Sequence, residues 1–408
     1  MSRIKKIEAR EILDSKGKMT VEVKVELENG LTAKAGVPSG ASTGKAEAVE
    51  IEPATAVKNV NTEINGLLVG QEVEEQEKID EMMISLDGTE NKGRLGANAI
   101  VGVSMAVCRA ASVSLNMPLY KYFGKLSGNN NFKMPRPQIL VLEGGKHGNW
   151  STDCQEFMVL PRQEKFGNFR ETLMAGVEIF KALGKILSQK NYSVGVGFEG
   201  AYMPREIKGN EEALELVVAA IKAAGFKPGE EVEIGIDGAA SEWFTSAPRG
   251  VQGKYRDLTP QQWLEKIISW TKKYPIWSLE DMFEEEGWQD WTELTKQVGD
   301  KLQVTGDDLL TTNITRIKKA IELKACNSVL IKLNQIGTVT ETLQAIKLSK
   351  DNQMATIVSH RGGETNDDMI ADLVVGAGCD QSKFGGPCRG ERVAKYNRLL
   401  EIEKELEN

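Results

Sequence analysis

Three carboxylates stand where short apolar runs end. Asp237 closes EIGID (233–237), Glu280 falls in IWSLED (276–281), and Asp307 falls in LQVTGDD (302–308). Any one of them alone reads as a surface acid. At equivalent places in successive runs they are expected to converge, and three converging carboxylates cannot all stay ionised without a cation among them. An all-oxygen set suits a hard ion, magnesium in the simplest case. Two lysines follow runs of the same kind, Lys332 in SVLIKLNQ and Lys383 in QSKFGG. A lysine in such a place is costly unless it is paired. Near a divalent cation and a second lysine the neutral amine is favoured, and such an amine can take a weakly acidic proton from carbon beside a carboxylate. A salt-bridged lysine that only stabilises the interior is the other reading of these residues.

The chain has only two histidines, His147 in GGKHGN and His360 in VSHRGGE. Solitary histidines are more often structural than catalytic, but His360 abuts Arg361, whose planar fork suits a phosphate or a carboxylate. Gly362 and Gly363 leave room for backbone amides to approach the same anion. Glu156 (CQEFM) and Glu199 (GFEGAY) are two more carboxylates after short apolar stretches. Glu199, flanked by Gly200, is a candidate general acid.

These side chains need a scaffold that gathers them. From about residue 138 onward, short runs rich in Val, Ile and Leu alternate with amphipathic helical stretches. This predicts a parallel sheet covered on both faces, with the polar residue at the C-terminal end of each run, where barrel enzymes carry their chemistry. Asp237, Glu280, Asp307, Lys332, His360 and Lys383 are separated by 43, 27, 25, 28 and 23 residues. A βα unit needs roughly 20–30 residues, and the stretch at 245–260 would supply the one longer excursion. An open doubly wound sheet is the competing fold, but it would not aim six successive strand ends at one point.

The N-terminal part reads differently. MTVEVKVELE (19–28) alternates as a half-buried strand, Asn29-Gly30 is a hairpin signal, and a second alternating run follows at 31–37. VPSGASTGKAE (37–47) is expected to be a mobile loop. Helical stretches follow near 53–66, 72–86 and 95–115, and SGNNNFKMPRP (127–137) is the candidate linker. The predicted division is a capping domain over 1–126 and a catalytic domain over 138–408.

Composition narrows the function classes. Of 408 residues, 40% are hydrophobic and 27% charged, enough apolar material for a core. A net charge of −8 with dispersed basic residues argues against a general nucleic-acid binder. No run approaches ~18 consecutive apolar residues, so no membrane span is expected. The N-terminal stretch lacks the apolar core of a signal peptide, which suggests a cytoplasmic protein. Cys108, Cys154, Cys326, Cys379 and Cys388 form no C-x-x-C pair and are expected as reduced thiols.

VPSGASTG, GVGFEG, the ASE after Asp237, SLED, GDDL, IKLNQIGT, VSHRGGET and ERVAKYNRLLEIE together resemble the enolase family, from about Ala9 to Glu405. The resemblance implies an α/β fold: a modified (β/α)8 TIM-like barrel with a smaller N-terminal α+β capping domain, usually as a homodimer or higher homo-oligomer. It implies magnesium-dependent dehydration of 2-phosphoglycerate to phosphoenolpyruvate, with two ions per site. Residue by residue, it makes Asp237, Glu280 and Asp307 ligands of the tightly held ion, Lys332 the base at C2, and Glu199 the acid at the 3-hydroxyl. Lys383 becomes a contact for the substrate carboxylate and Arg361 one for its phosphate. His147, Gln155, Glu156 and His360 become surrounding substrate-site residues. Ser39 falls on the loop position that closes with the second ion, and loop 37–47 becomes a lid. This chain departs from the family pattern at Gly362 (usually Ser), Phe198 (usually Asp), Glu143 (usually Asn) and Lys16 (usually Arg), and a segment is missing after Glu50. A relative acting on a related phosphonate or 2-substituted hydroxy acid, and a non-catalytic scaffold of the same fold, are the alternatives.

Overall fold

The computed structural model describes residues 2–40, 44–244 and 257–407. The N-terminal part holds an antiparallel sheet in the order β1 (Ile4–Leu13), β2 (Met19–Leu27), β3 (Thr32–Gly36). Val21, Val23, Val25 and Leu27 of β2 all point into the core, as the period of two requires. The turn between β2 and β3 uses Gly30 at φ 84°, a conformation that favours glycine. The alternation in the sequence missed β1, because its charged residues hide the period and only Ile4 and Ile7 are buried. The outer edge of β1 is covered by side chains. Asn65 accepts the N–H of Ile7 at 2.8 Å, and Asn61 accepts from and donates to Ala9 at 2.7 and 3.1 Å. Those asparagines lie on the helical stretch Pro53–Leu68, whose middle, Val60–Ile64, is π-helical.

Helix Ala97–Ser114 packs on β2 and β3. It is long and apolar enough to cross a membrane by composition, but 83% of it is buried inside the protein, so it is a core helix. Gly102 permits the close approach, since a Cβ there would stand 2.8 Å from Val23 and 2.9 Å from Val37.

The remainder closes into a barrel. Its strands are β4 (Arg136–Glu143), β5 (Glu156–Pro161), β6 (Val232–Asp237), β7 (Ile276–Glu280), β8 (Gln303–Gly306), β9 (Ser328–Ile331), β10 (Ala355–Ser359) and β11 (Gln381–Lys383). The closed order is β10-β11-β4-β5-β6-β7-β8-β9. The expectation of an all-parallel sheet is corrected at one strand: β5 runs antiparallel to both β4 and β6. Residues 144–155 between β4 and β5 contain no helix, and a parallel return needs a crossover. Part of the stretch read as the longer excursion before β7, residues 245–256, lies outside the described residues, as do 41–43 of loop 37–47.

The barrel interior is more polar than its apolar strands suggest. Gln138 donates to Gln381 at 2.8 Å, Gln381 to Gln303 at 2.5 Å, and Gln303 to Ser278 at 2.9 Å. Gln381 and Gln303 both give and accept, whereas Gln138 only gives, its buried Oε1 having no hydrogen-bond partner among the described residues. All five cysteines are free thiols, four buried and Cys388 half-buried.

Candidate active site

The residues singled out from the sequence gather at the C-terminal mouth of the barrel. Asp237, Glu280 and Lys383 end β6, β7 and β11, and Asp307, Lys332 and His360 directly follow β8, β9 and β10. Because β5 is reversed, its first residue, Glu156, arrives at the same mouth and pairs with Asp237 and with Glu143. A polar cavity there is lined by His147, Gln155, Glu156, Glu199, Asp237, Asp307, Lys332, His360, Arg361, Gly362 and Lys383. Every substrate-site and catalytic residue expected from the sequence therefore lies around one space. Glu280 is not part of that lining but is buried and accepts from Lys383, which is.

The charges are arranged in two groups. Lys383 Nζ lies 2.8 Å from Glu280, 2.9 Å from Glu156 and 3.1 Å from Asp237. Burial opposes its charge, but the three carboxylates hold its pKa well above the usual lysine range. Lys332 is ion-paired with Asp307, whose other oxygen accepts from Gln335 at 2.9 Å. Burial works against the Lys332 ammonium, yet Asp307 outweighs it and raises its pKa. The charge nearest the Lys332 ammonium in this arrangement is the Asp307 carboxylate. Asp307 is held below the usual carboxylate range by Lys332 in spite of burial. Burial and neighbouring carboxylates push Asp237 and Glu280 up.

Two groups of side chains among the described residues could hold a hard cation, and neither is the expected set of Asp237, Glu280 and Asp307 together. Glu280 Oε2 is buried with no hydrogen-bond partner among the described residues. Oxygens of Asp281, Asp307 and Asp308 lie within 4.8 Å of one another, as do ligand atoms of His147, Glu156 and Glu199. Sequence reading missed Asp281. It sits at φ 42° and accepts the N–H groups of Asp307 and Asp308 at 2.9 and 2.8 Å, which fixes where Asp307 points. Its adjacency to Glu280 in SLED was the available signal.

Glu199 faces the cavity from a turn held by its neighbours. Glu143, fully buried at the end of β4, accepts the N–H of Glu199 at 3.2 Å and of Ala201 at 3.1 Å. Gly200 at φ 85° lets the turn pass the carbonyl of Cys388, which a Cβ would approach to 2.5 Å. Glu199 Oε2 is 3.8 Å from both His147 Nδ1 and His360 Nε2. Burial lowers the His147 pKa to about 4, and burial with nearby Arg392 takes His360 well below its usual value. Both rings are therefore neutral near pH 7. Phe198 packs edge-on to His147 at 4.5 Å and lies under the Lys16 ammonium at 4.5 Å. Two of the family departures thus meet as one cation–π pair.

Arg361 is not free to face a ligand alone. It forms a two-pronged pair with Glu47, at 3.0 and 3.2 Å, and bonds Asn334 Oδ1 at 3.0 Å, all buried. Ser39, expected at the loop position that closes with the second ion, is held by other partners here. Its hydroxyl donates to Asp14 at 2.7 Å, its backbone pairs with Gly363, and it does not line the cavity.

Comparison with known proteins agrees with this geometry. The profile of the enolase N-terminal domain matches residues 4–123, and that of the enolase C-terminal TIM barrel domain matches residues 131–408. A protein named enolase from Bifidobacterium animalis subsp. lactis is 45% identical, over all of this chain and 96% of its own length. Another enolase, from Bifidobacterium longum subsp. infantis, is 46% identical over all of this chain and 95% of its own length. With both domain profiles in order and full-length relatives at this identity, the chain belongs to the enolase family, the phosphopyruvate hydratases.

Proposed function

We propose that this chain catalyses the reversible, magnesium-dependent dehydration of 2-phospho-D-glycerate to phosphoenolpyruvate. The observation that carries the reading is that Lys332 and Glu199, on separate elements, line the same buried cavity as Lys383 and Arg361. Lys332 takes the proton from C2 as its neutral amine, released from Asp307, and the charge left behind spreads onto the substrate carboxylate, beside the Lys383 ammonium. Glu199 gives a proton to the departing 3-hydroxyl, because hydroxide is a poor leaving group. Arg361, with the backbone of Gly362 and Gly363, receives the phosphate. His147, Gln155, Glu156 and His360 line the remaining wall and exclude water. Magnesium held by Asp237, Glu280 and Asp307 would supply further positive charge where the carboxylate becomes a dianion, and would compete with Lys332 for Asp307.

Ser39, on loop 37–47, would help hold a second ion, which would add positive charge beside the substrate. The capping domain is taken as 1–126 and the catalytic barrel as 138–408. Assembly as a homodimer or higher homo-oligomer, and a cytoplasmic setting, rest on the family alone.

The test is to mix the purified protein, magnesium and 2-phosphoglycerate and follow the ultraviolet absorbance of phosphoenolpyruvate. Turnover that a chelator stops and magnesium restores supports the reading. Binding of 2-phosphoglycerate with no rise in absorbance overturns it.

A further inference from the structure

Arg392 is completely buried on helix Gly390–Glu407, and the reaction described above makes no use of it. Its guanidinium collects three carbonyls. Nη1 donates to Arg361 at 2.6 Å, and Nη2 donates to Phe198 at 3.0 Å and Gly362 at 2.7 Å. One planar group therefore joins the turn that carries Glu199 to the turn that carries His360 and Arg361. The same Nη1 stands 2.6 Å from Nδ1 of His360.

That contact determines a proton position. A guanidinium has only donors and keeps its charge in a protein. The ring atom facing it must accept, so Nδ1 of His360 bears no hydrogen. A neutral imidazole with a bare Nδ1 carries its hydrogen on Nε2. Nε2 is the ring atom that looks toward Glu199, at 3.8 Å from an Oε2 with no hydrogen-bond partner among the described residues. Lys383, Lys332 and Lys395 add positive charge around the ring and further oppose a charged imidazole.

We propose that Arg392 is a positioning residue that holds His360 as the Nε2-protonated neutral ring and aims that N–H at Glu199. His360 then presents a fixed N–H toward the acid and the oxygen leaving the substrate, and is not a proton acceptor. The proposal rests on the dehydration reading for its purpose but not for its geometry.

Only two histidines occur in the chain, so imidazole nitrogens are resolved simply. Long-range proton–nitrogen spectra of protein labelled with ¹⁵N-histidine report the tautomer of each ring, and His147→Gln assigns the pair. The expected wild-type result is an Nε2-protonated His360 at neutral pH. Arg392→Met is expected to give a mixed or Nδ1-protonated ring and to lower kcat about tenfold or more, with KM changed less than about threefold. Arg392→Lys, which keeps a donor but not the fork, is expected to fall between. A wild-type ring that is Nδ1-protonated or charged at neutral pH overturns the proposal without any variant. So does a folded Arg392→Met protein with an unchanged His360 signal and unchanged kcat. Should wild-type protein show the expected ring but no turnover of 2-phosphoglycerate, the reaction fails and the positioning stands.

Discussion

Glu47 and Arg361 meet across 314 positions of the chain, and their pairing sets the state of the anion end of the site. Both side chains are buried, so removing one charge strands the other. Breaking a pair of this kind costs about 3–5 kcal/mol. Glu47→Gln is therefore expected to lower the denaturation midpoint, and Arg361 should then seek another anion. Inorganic phosphate is expected to raise the melting temperature of Glu47→Gln more than that of wild type. An equal shift in both proteins would mean that phosphate does not reach Arg361. Lys332→Ala is expected to reduce turnover by about 10²–10⁴-fold, the usual contribution of a positioned base. A loss of less than tenfold would give the proton transfer to another group.

Secondary elements are joined by buried polar side chains as well as by the apolar core. Asp80 on helix Gln76–Asp87 accepts from the backbone and hydroxyl of Thr340 at 3.0 and 2.6 Å, capping the start of helix Val339–Asp351. Burial outweighs these bonds and raises the Asp80 pKa from 3.8 to about 6. A carboxyl with a raised folded pKa contributes stability below its unfolded pKa, and that contribution disappears as pH rises through the folded value. The contribution amounts to about 3 kcal/mol at 1.36 kcal/mol per unit. Asp80→Asn does not titrate, so the stability of wild type relative to Asp80→Asn is expected to fall as pH rises from about 4 to about 6. Denaturant midpoints of the two proteins across that window check the sign, and parallel curves would refute it. At the edge of β1, Asn65→Ala removes the acceptor for Ile7. The loss should cost about 1 kcal/mol and speed hydrogen exchange at the Ile7 amide, with distant core amides unchanged.

Across the whole molecule, the N-terminal part is fastened to the barrel by specific charges. Arg109 forks onto Asp367 at 2.8 and 3.0 Å, Lys92 pairs with Glu341 at 2.9 Å, and Ser104 accepts the N–H of Val339 at 2.9 Å. Neither part can unfold without stripping partners from buried groups of the other. Calorimetry is expected to show one cooperative transition, and two separated peaks would contradict the coupling. Carboxylates crowded at the barrel mouth are expected to make stability depend on a cation. Magnesium at 100 times its dissociation constant should add about 2.7 kcal/mol, so chelation should lower the melting temperature.

Much of this protein is written locally. The alternation of β2, the Asn29-Gly30 turn and the polar residues that end β6 to β11 depend on near neighbours in the chain, and composition and period display them. That is why Asp237, Glu280, Asp307, Lys332, His360 and Lys383 could be named together before any coordinates. The direction of β5, the pairing of Lys332 with Asp307 and the approach of Glu47, Glu143 and Arg392 to the site were decided only by tertiary structure. Each depends on where the closed barrel places segments tens to hundreds of residues apart. A side chain carries its chemistry in its type, but its partner, and hence its charge and its proton, is chosen by what the fold sets beside it.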